Sequence, residues 1–312
     1  MVYEIDGYKA QCAIEALESA IDATGVTSTT FSPTLGIYKN LPNSVYHKTK
    51  GIGSTSLKAL IERSPLHYIE GCIYPVQKQV FDFGNAVHAL LQHRDGTFGD
   101  EIAVAPAAMA SRRGKVAQEW FADARAHDKI PILHEESLRA RDAFEAVMAH
   151  PTARRYLEGD GYSEHSWFRV DNGTNRLVKC RPDYDRPDID TVVDFKTTRD
   201  ASRFDQDVGK LGYDLSAAHY LGITERKFWL WIAVESERPH GVRVIQASQL
   251  TLEVGAAKLR HALAMWDHCL STNDFPGYPE DVSLHKPSGW DVREWLTPFD
   301  DDFGTVNEPR LL

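Results

Sequence analysis

The stretch from Arg181 to Thr198, RPDYDRPDIDTVVDFKTT, constrains this chain more than any other. Thr191 to Phe195 is short, apolar and β-branched, which predicts a buried strand. Side chains alternate along a strand, so Asp194 and Lys196 share one face while Val193 and Phe195 share the other. A carboxylate and an ammonium on one strand face make poor core and a good site for a cation and a phosphate. Ten residues separate Asp183 from Asp194. Asp183 is expected to end the preceding strand, with Pro187 and its neighbouring aspartates turning the chain back. Two carboxylates from adjacent strand ends then share one hard cation, and Mg²⁺ prefers such oxygen ligands while retaining waters. Lys196 is placed to orient or deprotonate an attacking water, or to offset charge on a phosphate. The competing reading is a surface hairpin with an Asp–Lys ion pair of little energetic weight. The Pro182-Asp183 step at this spacing, with its strand–turn–strand context, favours a site.

This pattern resembles the PD-(D/E)xK nuclease superfamily. With its flanking residues it resembles the RecE-type exodeoxyribonucleases, relatives of lambda exonuclease and the RecB nuclease domain. The resemblance runs from about Gly36 to Trp295, opening with GIYKNLPNSVYHKTKGIGSTSLKALIERSPLHY. It implies an α/β fold with a restriction-endonuclease-like core, a mixed central sheet flanked by helices, and the site at one sheet edge. The expected division is an N-terminal extension over 1–35, a nuclease domain over 36–300 and a flexible tail over 301–312. A helix from about Tyr8 to Ala23 is expected within the extension.

Phe81 to His93, FDFGNAVHALLQH, predicts a helix with Phe83, Val87, Leu90 and Leu91 inside. His88 alone on such a face reads as a core histidine. RecE-type enzymes carry a G-x-x-x-H helix, matched by Gly84 to His88, whose histidine joins the metal shell. The resemblance therefore implies His88, Asp183, Asp194 and the main-chain carbonyl of Phe195 as ligands of Mg²⁺ or Mn²⁺, with Lys196 positioning water. Imidazole suits Mn²⁺ and is tolerable for Mg²⁺.

Tyr162 to Val170 alternates and predicts a strand, and Asp171 to Thr174 is a hairpin turn signal. Glu164 opens that strand. Family members often hold a second metal or its water with a glutamate here; a surface glutamate is the alternative. Tyr213 to Tyr220 predicts a helix. The superfamily often places Q-x-x-x-Y on it, facing DNA; Tyr220 matches, but Ser216 stands where glutamine is expected and reaches less far. Ser111 to Lys115 puts Arg112, Arg113 and Lys115 around a glycine, either as a phosphate clamp or as a solvated basic loop. Lys58 and Arg63 lie on a helix expected to start near Ser56, capped by Ser54 or Thr55; both read as solvated charge, with DNA contact as the alternative.

The 312 residues carry a net charge of −10. That balance argues against non-specific coating of DNA, though not against a channel holding the positive charge. The four cysteines are far apart, with no C-x-x-C, so zinc ribbons, a disulfide framework and an iron–sulfur cluster are not expected. No apolar run approaches the ~20 residues of a membrane helix. The N-terminus lacks a basic and apolar leader. A cytoplasmic protein without membrane partners follows. The resemblance implies a 5′→3′ exonuclease on double-stranded DNA ends, leaving 3′ single strands for an annealing protein in phage-type recombination. It also implies a homo-oligomeric ring, with Arg112, Arg113 and Lys115 lining its channel. The alternatives are an endonuclease or a nuclease of other polarity, and a non-catalytic DNA-end-binding accessory protein.

Overall fold

The computed structural model describes residues 35–39, 41–73, 82–287 and the single positions 289, 292 and 296. The helix expected near the N-terminus, and the tail from 301, lie outside the described residues. By its contacts the chain divides into a body through Gly277 and a C-terminal segment from Tyr278. In the body, the central sheet has strand order β10-β9-β8-β7-β4. These strands are β4 (Tyr162–Ser163), β7 (Tyr184–Arg186), β8 (Thr191–Thr198), β9 (Phe228–Glu235) and β10 (Val242–Gln246). β8 and β9 run parallel and the other pairs antiparallel, giving the mixed sheet that the sequence predicts. β8 lies at the middle of this sheet, so Asp194 and Lys196 stand on a central strand and not at the edge expected from sequence.

The alternation of β8 and β9 divides the core. Val193, Phe195, Leu230 and Ile232 pack with α4 (Asp82–His93) and α6 (His134–Ala149). Val192, Trp229 and Trp231 face the other way, toward α8 (Phe204–Lys210) and α9 (Tyr213–Thr224). Strand residues buried on both faces need no polar alternation, which is why β9 reads as one continuous apolar run.

A second sheet joins β1 (Gly36–Tyr38), β5 (Ser166–Val170) and β6 (Leu177–Cys180). Its Trp167, Val178 and Cys180 pack on α2 (Ser54–Glu62), α9 and α10 (Gln249–Thr272). Here the sequence reading needs two corrections. Tyr162 to Val170 is not one strand: it breaks at Glu164, which takes φ 54° as the chain passes from the central sheet to the second one. The α2 helix begins at Ser54 after an N-cap at Gly53, and no side chain caps it. The remaining elements are α1 (Asn43–Lys48), α3 (Pro65–Ile73), the parallel pair β2 (Ile102–Val104) and β3 (Ile130–Ile132), α5 (Lys115–Ala126) and α7 (Pro151–Leu157). Among the described residues no helix is long and apolar enough to cross a membrane.

Candidate active site

Three separate pieces of chain meet at the middle of β8. The first is β8 itself, whose alternation turns Asp194 and Lys196 away from the buried Val193 and Phe195. The second is the bend between β6 and β7. Asp183 lies in this bend and not at a strand end, and its Oδ2 accepts a 2.7 Å hydrogen bond from the Phe195 main-chain N–H. That bond staples the bend to β8. The third is α4. A Cβ added at Gly84 would lie 3.0 Å from Thr197 Oγ1, so glycine lets the helix close on β8. One turn further, His88 Nδ1 stands 3.6 Å from Asp183 Oδ2, and its ring meets Phe195 edge-on at 5.8 Å. The G-x-x-x-H spacing thus has a mechanical reason: the glycine sets the approach that brings the histidine to Asp183.

The charges are strongly linked. Burial raises the Asp183 pKa, but the His88 and Lys196 charges and the Phe195 N–H outweigh it, holding Asp183 below the usual carboxylate range. Asp194 is pushed up, first by burial and then by Asp183, against the pull of Lys196. Burial alone would lower Lys196, yet the two aspartates raise it, so its ammonium is protonated at neutral pH. Glu164 is pushed up to about 8 by burial and by Asp183, and so holds its proton at neutral pH. Arg181 Nη1 stands 3.9 Å from Glu164 Oε2 and is itself anchored on Ser166 Oγ and the Leu41 carbonyl. Glu164 therefore belongs to the site and not to the open surface.

The donor set suits a hard cation. The Lys196 ammonium makes an ion pair with Asp194 Oδ2 and donates a 3.0 Å hydrogen bond to the Phe195 carbonyl. It bridges two oxygens of the kind that Mg²⁺ takes. Asp194 Oδ2 is buried and accepts no well-directed hydrogen bond. Its close contact is the Lys196 ammonium, so a cation already stands against this oxygen. Among the described residues no three His, Cys, Asp or Glu side chains already form a metal shell, because Asp183 is turned to Phe195 and His88, and Asp194 to Lys196.

Other predicted residues divide. Tyr220 is half-buried between two core clusters, stacked on Trp229 at 5.5 Å; burial, then Tyr46 and Cys180, raise its hydroxyl pKa, with smaller contributions from Asp183 and Asp194. Ser216 is not presented for contact: it is buried, and its Oγ turns back to the Gly212 carbonyl at 3.4 Å. Arg112 is also a correction. Its guanidinium is committed to Asp82 at 2.8 Å and Glu136 at 2.6 Å and lies 4.6 Å from the Phe121 ring centroid. It is a structural cation because two carboxylates saturate it. Arg113 and Lys115 remain exposed. Lys58 reads from sequence as surface charge, yet it is partly buried beside Lys196 and Asp194. No local pattern signals this; α2 is brought there by packing on α9.

A central mixed sheet with paired aspartates and a lysine on its middle strand defines a PD-(D/E)xK-like fold. The chain belongs to the family of PDDEXK-like domains of unknown function, DUF3799, whose model matches residues 54–287. The crystal structure of a candidate exonuclease from Eubacterium rectale is similar at a TM-score of 0.53 and 10% identity, over 81% of this chain and 98% of that one. At that identity the likeness shows the fold alone. A phage-related exonuclease from Haemophilus somnus is similar at a TM-score of 0.33 and 10% identity, over 74% of this chain and 100% of that one; this bears no argument. No curated protein matches the chain.

Proposed function

We propose that this chain is a metal-dependent DNA nuclease, specifically a 5′→3′ exodeoxyribonuclease on double-stranded ends that leaves 3′ single strands. The observation that carries the reading is the Lys196 ammonium bridging Asp194 and the Phe195 carbonyl beside the half-buried Asp183. Asp183, Asp194 and the Phe195 carbonyl, with His88, would hold Mg²⁺ or Mn²⁺. A bound cation supplies polarisation of the phosphodiester and neutralises charge on the leaving 3′ oxygen. Lys196, being protonated, acts as a hydrogen-bond donor: it orients the attacking water and offsets charge on the phosphate. Asp183 is held below the usual carboxylate range and Glu164 above it, so the two acids are placed for different roles. Phe195 N–H and His88 hold Asp183 in place.

Tyr220 contacts the strand end, and Arg113 and Lys115 contact phosphates in the channel of a homo-oligomeric ring. The product passes to a single-strand annealing protein in a recombination reaction. A ring reconciles a net charge of −10 with DNA binding, since the outer surface stays negative. The second reading is a non-catalytic recombination accessory protein with a decayed site; Ser216, turned inward, departs from the family's glutamine. Cleavage of linear, nicked and covalently closed duplex, with labels at either end, separates these readings. Degradation of linear duplex from 5′ ends, abolished by EDTA, with closed circles spared, is expected. Cutting of closed circles establishes an endonuclease, and binding without cleavage establishes the accessory role. Light scattering on the full chain tests the ring, and a strict monomer excludes it.

A further inference from the structure

Lys58 lies on α2, outside the motif that defines the site. Its stem crosses the N-terminus of α9 at Gly212. A Cβ added at Gly212 would lie 2.7 Å from Lys58 Cδ and 2.9 Å from Glu62 Oε1, and Gly212 has φ 62°. Glycine is thus needed there twice, for its backbone conformation and for the space that the lysine occupies. The ammonium reaches Tyr213, with Nζ 5.5 Å from the ring centroid. Lys196 Nζ stands 5.3 Å from the same ring. Two ammonium groups therefore gather on one tyrosine at the edge of the Asp194 site.

Their partners differ. Lys196 has Asp194. Among the described residues no carboxylate lies within ion-pair distance of Lys58; Asp214, the acid of the first turn of α9, is committed to Lys258 at 2.6 Å. Burial and the repulsion of Lys196 work against the Lys58 charge and outweigh the attraction of Asp194, Glu62 and Asp214. A partly buried cation placed beside a second cation, with no acid in direct contact, costs stability in the free protein. Such an arrangement is relieved by an incoming anion, and in a nuclease site the anion is a phosphodiester.

We propose that Lys58 contacts substrate directly: its ammonium binds a non-bridging phosphate oxygen of the DNA strand that runs past Asp194 and Lys196. This rests on the nuclease reading above. It assigns the second cation of the site to substrate positioning and leaves cation binding to the carboxylates. Arg63, on the same segment, is exposed and takes no part.

The test compares the full-length wild type with Lys58→Gln and Lys58→Arg. Duplex-end affinity is read by fluorescence anisotropy in EDTA, so that cleavage does not intervene, between about 50 and 200 mM salt. Lys58→Gln is expected to bind about tenfold more weakly at low salt and to lower the log–log salt slope by about 0.9, one phosphate contact. Lys58→Arg is expected to restore both. In steady-state cleavage KM should rise more than kcat falls, while Mg²⁺ affinity by calorimetry does not fall and the melting temperature holds or rises. A wild-type salt slope in Lys58→Gln overturns the assignment, as does an equal loss in Lys58→Arg. If the wild type neither binds duplex ends nor cleaves them with metal, the nuclease reading fails and this assignment fails with it. Normal wild-type behaviour with an unaltered Lys58→Gln slope overturns the Lys58 assignment alone.

Discussion

Two clusters of charge sit along the same helix, α4, and they are built on opposite principles. At its first residue, Asp82 Oδ2 accepts hydrogen bonds from Arg112 at 2.8 Å and Arg125 at 2.7 Å, and Arg112 continues to Glu136 at 2.6 Å. Glu136 also accepts the Leu133 N–H at 2.7 Å, so the network closes on the cap of α6. Six residues on, His88 reaches a cluster in which Asp194 Oδ2 has no directed hydrogen bond and Lys58 has no carboxylate in ion-pair reach among the described residues. The first cluster is saturated and ties the segment around Arg112 and Arg125 to the body. The second is unsaturated and electrostatically strained. Saturation of buried charge marks architecture; leftover valence marks chemistry.

Breaking the unsaturated cluster should damage activity most. Asp194→Asn is expected to lower cleavage by about a thousandfold or more. The variant should stay folded with a lowered melting temperature, because Lys196 loses its ion-pair partner. A variant that cuts as fast as wild type removes the metal-nuclease reading. Chelation with EDTA should reproduce the loss in wild type, and added Mg²⁺ or Mn²⁺ should reverse it.

Breaking the saturated cluster should do the reverse. Asp82→Ala leaves Arg112 and Arg125 partly buried without their shared carboxylate and is expected to cost about 3–5 kcal/mol in urea unfolding. Metal affinity of the folded fraction should be unchanged. A loss below about 1 kcal/mol shows that the network is not structural.

A third test uses a buried group satisfied in its neutral form. His219 donates from Nε2 to the Lys179 carbonyl at 3.0 Å, and burial lowers its pKa from the ordinary 6.5 to about 4. The unfolded chain binds a proton near pH 6.5 while the folded chain does not until about pH 4. Its contribution is therefore present above pH 6.5 and is lost as pH falls through that window, by up to roughly 3 kcal/mol. Urea midpoints at neutral and acidic pH measure it, and His219→Asn should flatten that part of the curve.

The smallest effect is expected where side chains touch least. Arg113→Ala with Lys115→Ala should leave stability within about 0.5 kcal/mol, since Lys115 is exposed and has only an i,i+4 contact to Glu119 at 3.8 Å. If the pair lines a DNA channel, the salt slope falls by up to about 1.8 for two phosphate contacts. An unchanged slope makes this a solvated loop.

The sequence by itself determined what local periodicity can encode. The alternation of Thr191 to Lys196, the apolar stripe of Val87, Leu90 and Leu91, and the turn at Asp171 to Thr174 each describe an element within its own few residues. The structure contains all three, with Asp171 Oδ2 accepting from Thr174 N–H at 2.8 Å. The Pro182-Asp183 and Asp194-x-Lys196 pattern pointed to the site for the same reason: a fixed spacing across one turn. Tertiary structure alone decided which charges find each other. Arg112 looks like any basic loop residue until Asp82 and Glu136 take its guanidinium. Lys58 looks like any helix lysine until Gly212 and Tyr213 seat it beside Lys196. Glu164 looks like a strand residue until the change of sheet bends its backbone and burial protonates it. The physical reason is one of range. Backbone preference and side-chain alternation act over a few residues, whereas the energy of a buried charge depends on partners that arrive from distant segments only when the sheets and helices close.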